Sequence, residues 1–66
     1  MYRVRYGNKY RDYETALQAY DSEYLKTVIP KSADFVDSFC ALLEAGEVLH
    51  NEDPISGAEI KVSRLL

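Results

Sequence analysis

The chain is poor in the residues that usually carry chemistry: one cysteine, one histidine, no tryptophan, two prolines and three glycines in 66 residues. A single thiol, Cys40, excludes an internal disulfide, and with only His50 to join it there is no zinc ligand set. No Gly-rich phosphate loop is present. The serines and threonines stand in no motif that would pair a nucleophile with the lone imidazole. The apolar run Cys40-Ala41-Leu42-Leu43 is far short of a bilayer span, and residues 1–13 are polar and basic, without the apolar stretch of a secretory leader. A lone free thiol suits a reducing interior, so the expected location is the cytoplasm. A chain of this size also struggles to enclose a substrate, since ligand pockets typically run to about 300 Å³ or more. We expect no enzyme activity, no metal, no cofactor and no membrane association.

What is present is a hydrophobic fraction of 47%, enough for a core and too high for a disordered chain. Residues 1–66 make one small domain. A domain of this size buries only about 60% of its unfolded surface, so a compact monomer or a homodimer sharing its core is expected. Charge is unevenly spread. Residues 1–11 carry Arg3, Arg5, Lys9 and Arg11 and no acid, whereas all 11 acids lie in residues 12–59 against Lys26 and Lys31 alone. Such an imbalance reads first as the mixed surface of a salt-bridged small fold, and alternatively as an acidic face that meets a basic partner.

Tyr2, Val4 and Tyr6 alternate with Arg3 and Arg5, the period-two mark of a half-buried strand. Gly7-Asn8 is a turn signal. A three-residue loop, Gly7 to Lys9, would set Tyr6 opposite Tyr10 and keep the two faces chemically clean, so it is the expected hairpin. Asp12 then reads as a helix N-cap, with Glu14 in the first turn. Tyr13, Leu17, Tyr20 and Tyr24 follow as one apolar helix stripe. Thr27-Val28-Ile29-Pro30 breaks that helix. Ser32 caps a second one, with Asp34 in its first turn and an apolar face of Phe35, Val36, Phe39, Cys40, Leu42 and Leu43; Gly46 stops it. Cys40, within that apolar face, reads as a packing residue. Glu47-Val48-Leu49-His50 reads as a short strand and residues 51–57 as a loop. Ala58, Ile60 and Val62 alternate with polar residues as a last strand. The expected fold is therefore α+β: a small antiparallel sheet in β-β-α-α-β-β order with two helices packed on one face.

That geometry bears on the opening YRVRYGNKYRDY. Arginines fork onto phosphates and tyrosines stack on bases, so Arg3, Arg5, Lys9 and Arg11 are candidates for nucleic-acid contact. Period two separates the two residue types, however. If helices cover the face of Tyr2, Val4 and Tyr6, the arginines decorate the open face alone, and the remaining acids repel phosphate. A structural hairpin is the preferred reading, with nucleic acid the alternative.

The hairpin, the tyrosine-bearing first helix (Ala16, Ala19, Tyr20), the junction Val28-Ile29-Pro30, the second helix with Val36, Ala41 and Leu42, and Gly46-Glu47-Val48-Leu49 entering a strand together resemble a small phage-encoded anti-CRISPR family that inhibits type I-F surveillance complexes. The similarity spans Tyr13 to Leu49 and is one of layout (ββααβ). It implies an acidic DNA mimic occupying the DNA-recognition surface of a Cas effector subunit. Asp12 matches an acidic position of that pattern; Tyr13 stands where a second acid is expected, the hairpin here is basic, and residues 50–66 add a loop and strand. The expected function is a small phage or mobile-element inhibitor that binds a host protein through Asp12, as the resemblance implies, and through Glu14, Asp21, Glu23, Asp34 and Asp37, chosen by their charge alone. The alternatives are the nucleic-acid module above and a homodimeric structural protein.

Overall fold

A computed structural model describes residues 1–26, 28–29 and 32–65. The expected break at Thr27 to Pro30 thus falls partly outside the described residues; of that segment, Val28 is half-buried and Ile29 buried.

The alternating opening stretch forms strand β1, Tyr2–Tyr6, and the chain returns as β2, Lys9–Tyr13. The turn between them corrects the three-residue expectation. Tyr6 lies opposite Lys9 and Arg5 opposite Tyr10, leaving only Gly7-Asn8 in the loop. Gly7 has φ +60°, and no described non-glycine residue has positive φ. This is the sign pattern of a type II′ turn, whose twist matches that of the flanking strands. The cost is mixed faces on β2, so Lys9 and Arg11 share the side of Tyr6 and Val4. An edge strand tolerates this because long side chains reach water around the rim.

The helical layer also departs from the expected pattern. Asp12 is not a helix cap; it lies within β2, opposite Arg3. The cap is Thr15, whose hydroxyl accepts from the Gln18 N–H while the Gln18 side chain accepts from the Thr15 N–H. This reciprocal capping box starts helix α1, Ala16–Tyr20. The helix ends after five residues, and Ser22 caps a separate 3₁₀ turn, Glu23–Leu25. The stripe Tyr13-Leu17-Tyr20-Tyr24 is therefore split among a strand, a helix and a turn. Leu17 is 56% exposed, while Ala16, Ala19 and Tyr20 face inward. The element order becomes strand, strand, helix, 3₁₀ turn, helix, strand, strand.

Helix α2, Ala33–Glu44, starts at Ser32, whose hydroxyl accepts from the Phe35 N–H, and carries Asp34 in its first turn as expected. It ends at Gly46, φ +91°. There the Gly46 N–H bonds the Leu43 carbonyl and the Glu47 N–H bonds the Leu42 carbonyl, the paired bonds of a Schellman motif. Arg64 reinforces this end, donating to the Glu44 carbonyl at 2.7 Å. Strand β3 runs Leu49–Glu52, two residues later than the expected Glu47 to His50, and β4 runs Glu59–Arg64. Pairing with β4 sets that boundary: Leu49 meets Val62 and Glu52 meets Glu59.

The sheet is antiparallel throughout, in the order β2-β1-β4-β3. Tyr2, Val4, Ile60 and Val62 point to one face and join Ala16, Ala19, Tyr20, Leu25, Ile29, Phe39 and Leu43 in one buried cluster. Both helices contribute to that cluster, so they cover the same face of the sheet and leave the other open. The Tyr20 ring meets Phe39 edge-on at 5.3 Å and Tyr6 stacks on Tyr24 at 5.5 Å, geometries that aromatic pairs favour.

Candidate functional site

Three surfaces remain once the core is assembled. The first is the open face of the sheet. Side chains directly opposite in an antiparallel ladder share a face, so Tyr10, Arg5, Lys61 and His50 form one row across all four strands. Asp12, Arg3 and Ser63 form the next row. Arg3 is neutralised there: its Nε lies 2.8 Å from Asp12 Oδ1, its other guanidinium contact to Oδ2 is 3.1 Å, and its guanidinium carbon sits 4.0 Å from the Tyr10 ring centre. The hydrogen bond from Arg3 holds the Asp12 carboxyl below the usual carboxylate range. Arg5 and Lys61 face each other with no described acid in ion-pair range.

The four basic candidates thus separate. Arg3 and Arg5 lie on the open face, whereas Lys9 and Arg11 point to the helical side, where Arg11 lies 3.4 Å from Glu23. Sequence reasoning missed Lys61, His50 and Tyr10 as members of the open face. Their membership depends on β4 pairing with β1 and on the two-residue turn.

The second surface is the outside of the helical layer. Asp12, Glu14 and Asp21 border one shallow hollow together with Tyr13 and Gln18. Asp34 and Asp37 are exposed on α2. Asp37 and Glu44 of α2 and Asp21 at the end of α1 all lie close enough to Cys40 to oppose its ionisation. Burial first, then these carboxylates, push the thiol up from its ordinary value. The six acidic candidates are therefore not equivalent. Asp12 and Glu23 are engaged by Arg3 and Arg11; Asp37 shares one side of α2 with Glu44, an acid the sequence reading did not single out.

The third surface is an apolar groove of about 180 Å³ between α2 and the edge strand β3. Its walls include Phe35, Phe39 and Leu42 on one side and Leu49 and Asn51 on the other, over a floor of Ile60 and Val62. The expected apolar face of α2 is thus divided: Phe39 and Leu43 enter the core, while Phe35 and Leu42 remain 37% and 45% exposed. The reason is geometric, since α2 packs on β4 and only Leu49 of β3 packs against the core. Beyond the groove, β3 and β4 are tied by a locked turn. Asp53 accepts from Tyr6 Oη and from the N–H groups of Ile55 and Ser56.

Among the described residues no three His, Cys, Asp or Glu side chains cluster as metal ligands, and no helix is long and apolar enough to cross a membrane. No family model, no curated protein and no solved structure matches the chain.

Proposed function

We propose that the protein acts by stoichiometric binding to another protein, as a small inhibitor, with its acidic helical side laid against a basic surface of the partner. The observation that carries this reading is the pair Asp37 and Glu44, both exposed and two turns apart on one side of α2. Carboxylates so placed offer charge-assisted hydrogen bonds to arginine and lysine and steer encounter with a positively charged groove. A nucleic-acid channel of a phage-targeted effector is such a groove: type I-F surveillance complexes, like other RNA-guided effectors, hold nucleic acid in positively charged channels. In that setting Glu14, Asp34 and Asp37 would stand in for phosphates.

The test is capture of partners from a nuclease-treated bacterial lysate with tagged protein, followed by affinity measurement on the captured protein or on a purified type I-F complex. Reversing Asp37 and Glu44 to lysine should weaken binding more than tenfold, because close charge pairs at interfaces couple by about 1.5 kcal/mol or more. Unchanged affinity would sink the acidic-face assignment.

A second reading has one specific observation behind it, the unpaired juxtaposition of Arg5 and Lys61 on the open face. It makes the sheet a phosphate-contacting surface. Its signature is binding to single-stranded DNA or RNA that falls steeply with salt and is lost in Arg5→Glu.

A further inference from the structure

Strand β3 has β4 on one side and, among the described residues, no strand on the other. The alternation of the ladder settles which groups face outward. The Asp53 N–H bonds the Ala58 carbonyl, so the next pair inward, Glu52 with Glu59, is of the non-hydrogen-bonded kind, as is His50 with Lys61. The backbone N–H and C=O groups of His50 and Glu52 therefore point away from the sheet. The Glu52 N–H is covered by its neighbour Asn51, whose side-chain oxygen accepts it at 2.8 Å. Among the described residues His50 has no such cover.

The two edges of the sheet differ in their defences. Lysine and other charges on an edge deter pairing, and β2 carries Lys9 and Arg11. Strand β3, Leu-His-Asn-Glu, carries one charge, Glu52, and no lysine, arginine or proline. Beside it lies the apolar groove, walled by β3 itself and by Phe35 and Leu42. A free strand edge flanked by an apolar slot and a helix is the arrangement that captures an extended peptide: main-chain bonds supply affinity and alternate side chains enter the slot. At about 180 Å³ the groove holds aliphatic side chains but falls below the roughly 300 Å³ of a typical small-molecule pocket.

Charge specifies the peptide further. Glu52 and Glu59 are directly opposite on the open face, in the close-set type of pair, and border one hollow. Like charges so placed repel, and a cation beside them relieves that repulsion.

We propose that an extended segment of a protein partner adds to β3 as a fifth, antiparallel strand. Its residue opposite Glu52 is lysine or arginine; those opposite Asn51 and Leu49 are aliphatic and fill the groove; the one opposite His50 exchanges main-chain hydrogen bonds with it. Read from its N-terminus the segment is cation, aliphatic, any residue, aliphatic. A second copy of this chain fits less well, because its own β3 offers the groove only Leu49 and Asn51. The proposal rests on the protein-binding reading above and names the part of the partner that docks.

The experiment is an amide NMR titration of the full chain with a blocked eight-residue peptide containing Lys-Leu-Thr-Leu. Saturable shifts at residues 49–52 and at Phe35 and Leu42 are expected. N-methylating the threonine, which removes the N–H offered to His50, should weaken binding at least tenfold, as should Leu42→Glu in the groove wall; replacing the peptide lysine by glutamate should weaken it severalfold. Absence of saturable shifts, indifference to N-methylation, or a concentration-dependent dimer that already covers β3 would each overturn strand addition. Asp37→Lys with Glu44→Lys leaves this titration unchanged, so failure here and failure of the acidic-face reading are separable.

Discussion

The Tyr6 hydroxyl donates to Asp53 Oδ2 at 2.5 Å and lies 2.6 Å from Ser56 Oγ, joining the end of β1 to a turn 47 residues further along the chain. The other carboxylate oxygen of Asp53 takes the N–H groups of Ile55 and Ser56. One aspartate thus fixes the β3–β4 turn and ties it to the first hairpin.

A pH dependence follows. The bond from Tyr6, then that from the Ile55 N–H, hold the Asp53 carboxyl below its ordinary value. A carboxyl depressed in the folded state contributes stability that is fully present above its unfolded pKa and is lost as pH falls through the lower folded value. Denaturant midpoints should therefore drop below about pH 4. In Asp53→Asn the neutral-pH midpoint should be lower and the acid limb shallower. An acid limb as steep as that of the parent protein would contradict this role.

The buried and the exposed phenylalanine of α2 separate packing from binding. Phe39 is 2% exposed, and Phe39→Ala should cost about 3–5 kcal/mol, enough to unfold much of a marginal domain. Phe35→Ala removes a groove wall that is 37% exposed and should cost about 1 kcal/mol or less, near the centre of the range for single substitutions. Urea unfolding of the two variants checks the contrast.

Thr15 starts α1, and Asp12 does not. Thr15→Ala should lower stability by about 1 kcal/mol, the usual worth of a cap. Circular dichroism of that variant should show little lost helix, since α1 has only five residues; a large helical loss would mean that α2 depends on the same cap.

Gly46 has φ +91° and open space where a Cβ would stand. Gly46→Ala therefore costs only the left-handed conformation, about 1–2 kcal/mol. A neutral result in thermal unfolding would mean that the helix end can relax to another stop.

Cys40 should be slow towards thiol reagents at neutral pH. Burial and the carboxylates of Glu44, Asp37 and Asp21 raise its pKa, and the thiolate is the reacting species. Asp37→Lys should speed labelling in the native protein; an unchanged rate would place that carboxylate outside electrostatic range.

Much of this fold is legible in the sequence where one periodicity rules. Strands β1 and β4 follow from strict alternation, and α2 from its stripe between Ser32 and Gly46. The first helix is not, because Tyr13, Leu17, Tyr20 and Tyr24 mimic a helical face that tertiary packing divides. A local signal did exist: Thr15 followed three residues later by Gln18 is a capping box, and it competes with Asp12 for the start. The hairpin turned on Gly7 at the first central position, which favours two loop residues over chemically uniform faces. The surfaces are less legible still. That Lys61 meets Arg5, and that Glu52 meets Glu59, depends on strand order, which no stretch of sequence encodes locally. The groove exists only because α2 lies over β4 and stops short of β3.

Strand order has a further consequence, in time rather than space. The two central strands, β1 and β4, are separated by more than fifty residues of chain, and neither hairpin alone is stable in water. During synthesis residues 2–52 therefore have no partner for the inner edge of β1 until residues 59–64 emerge. The closing of the sheet is a single late event that joins both hairpins and seals Val4 against Val62. Such distant pairing slows folding relative to a helical bundle of equal length. For the interval before it closes, the apolar residues of the nascent chain are exposed to whatever else is present.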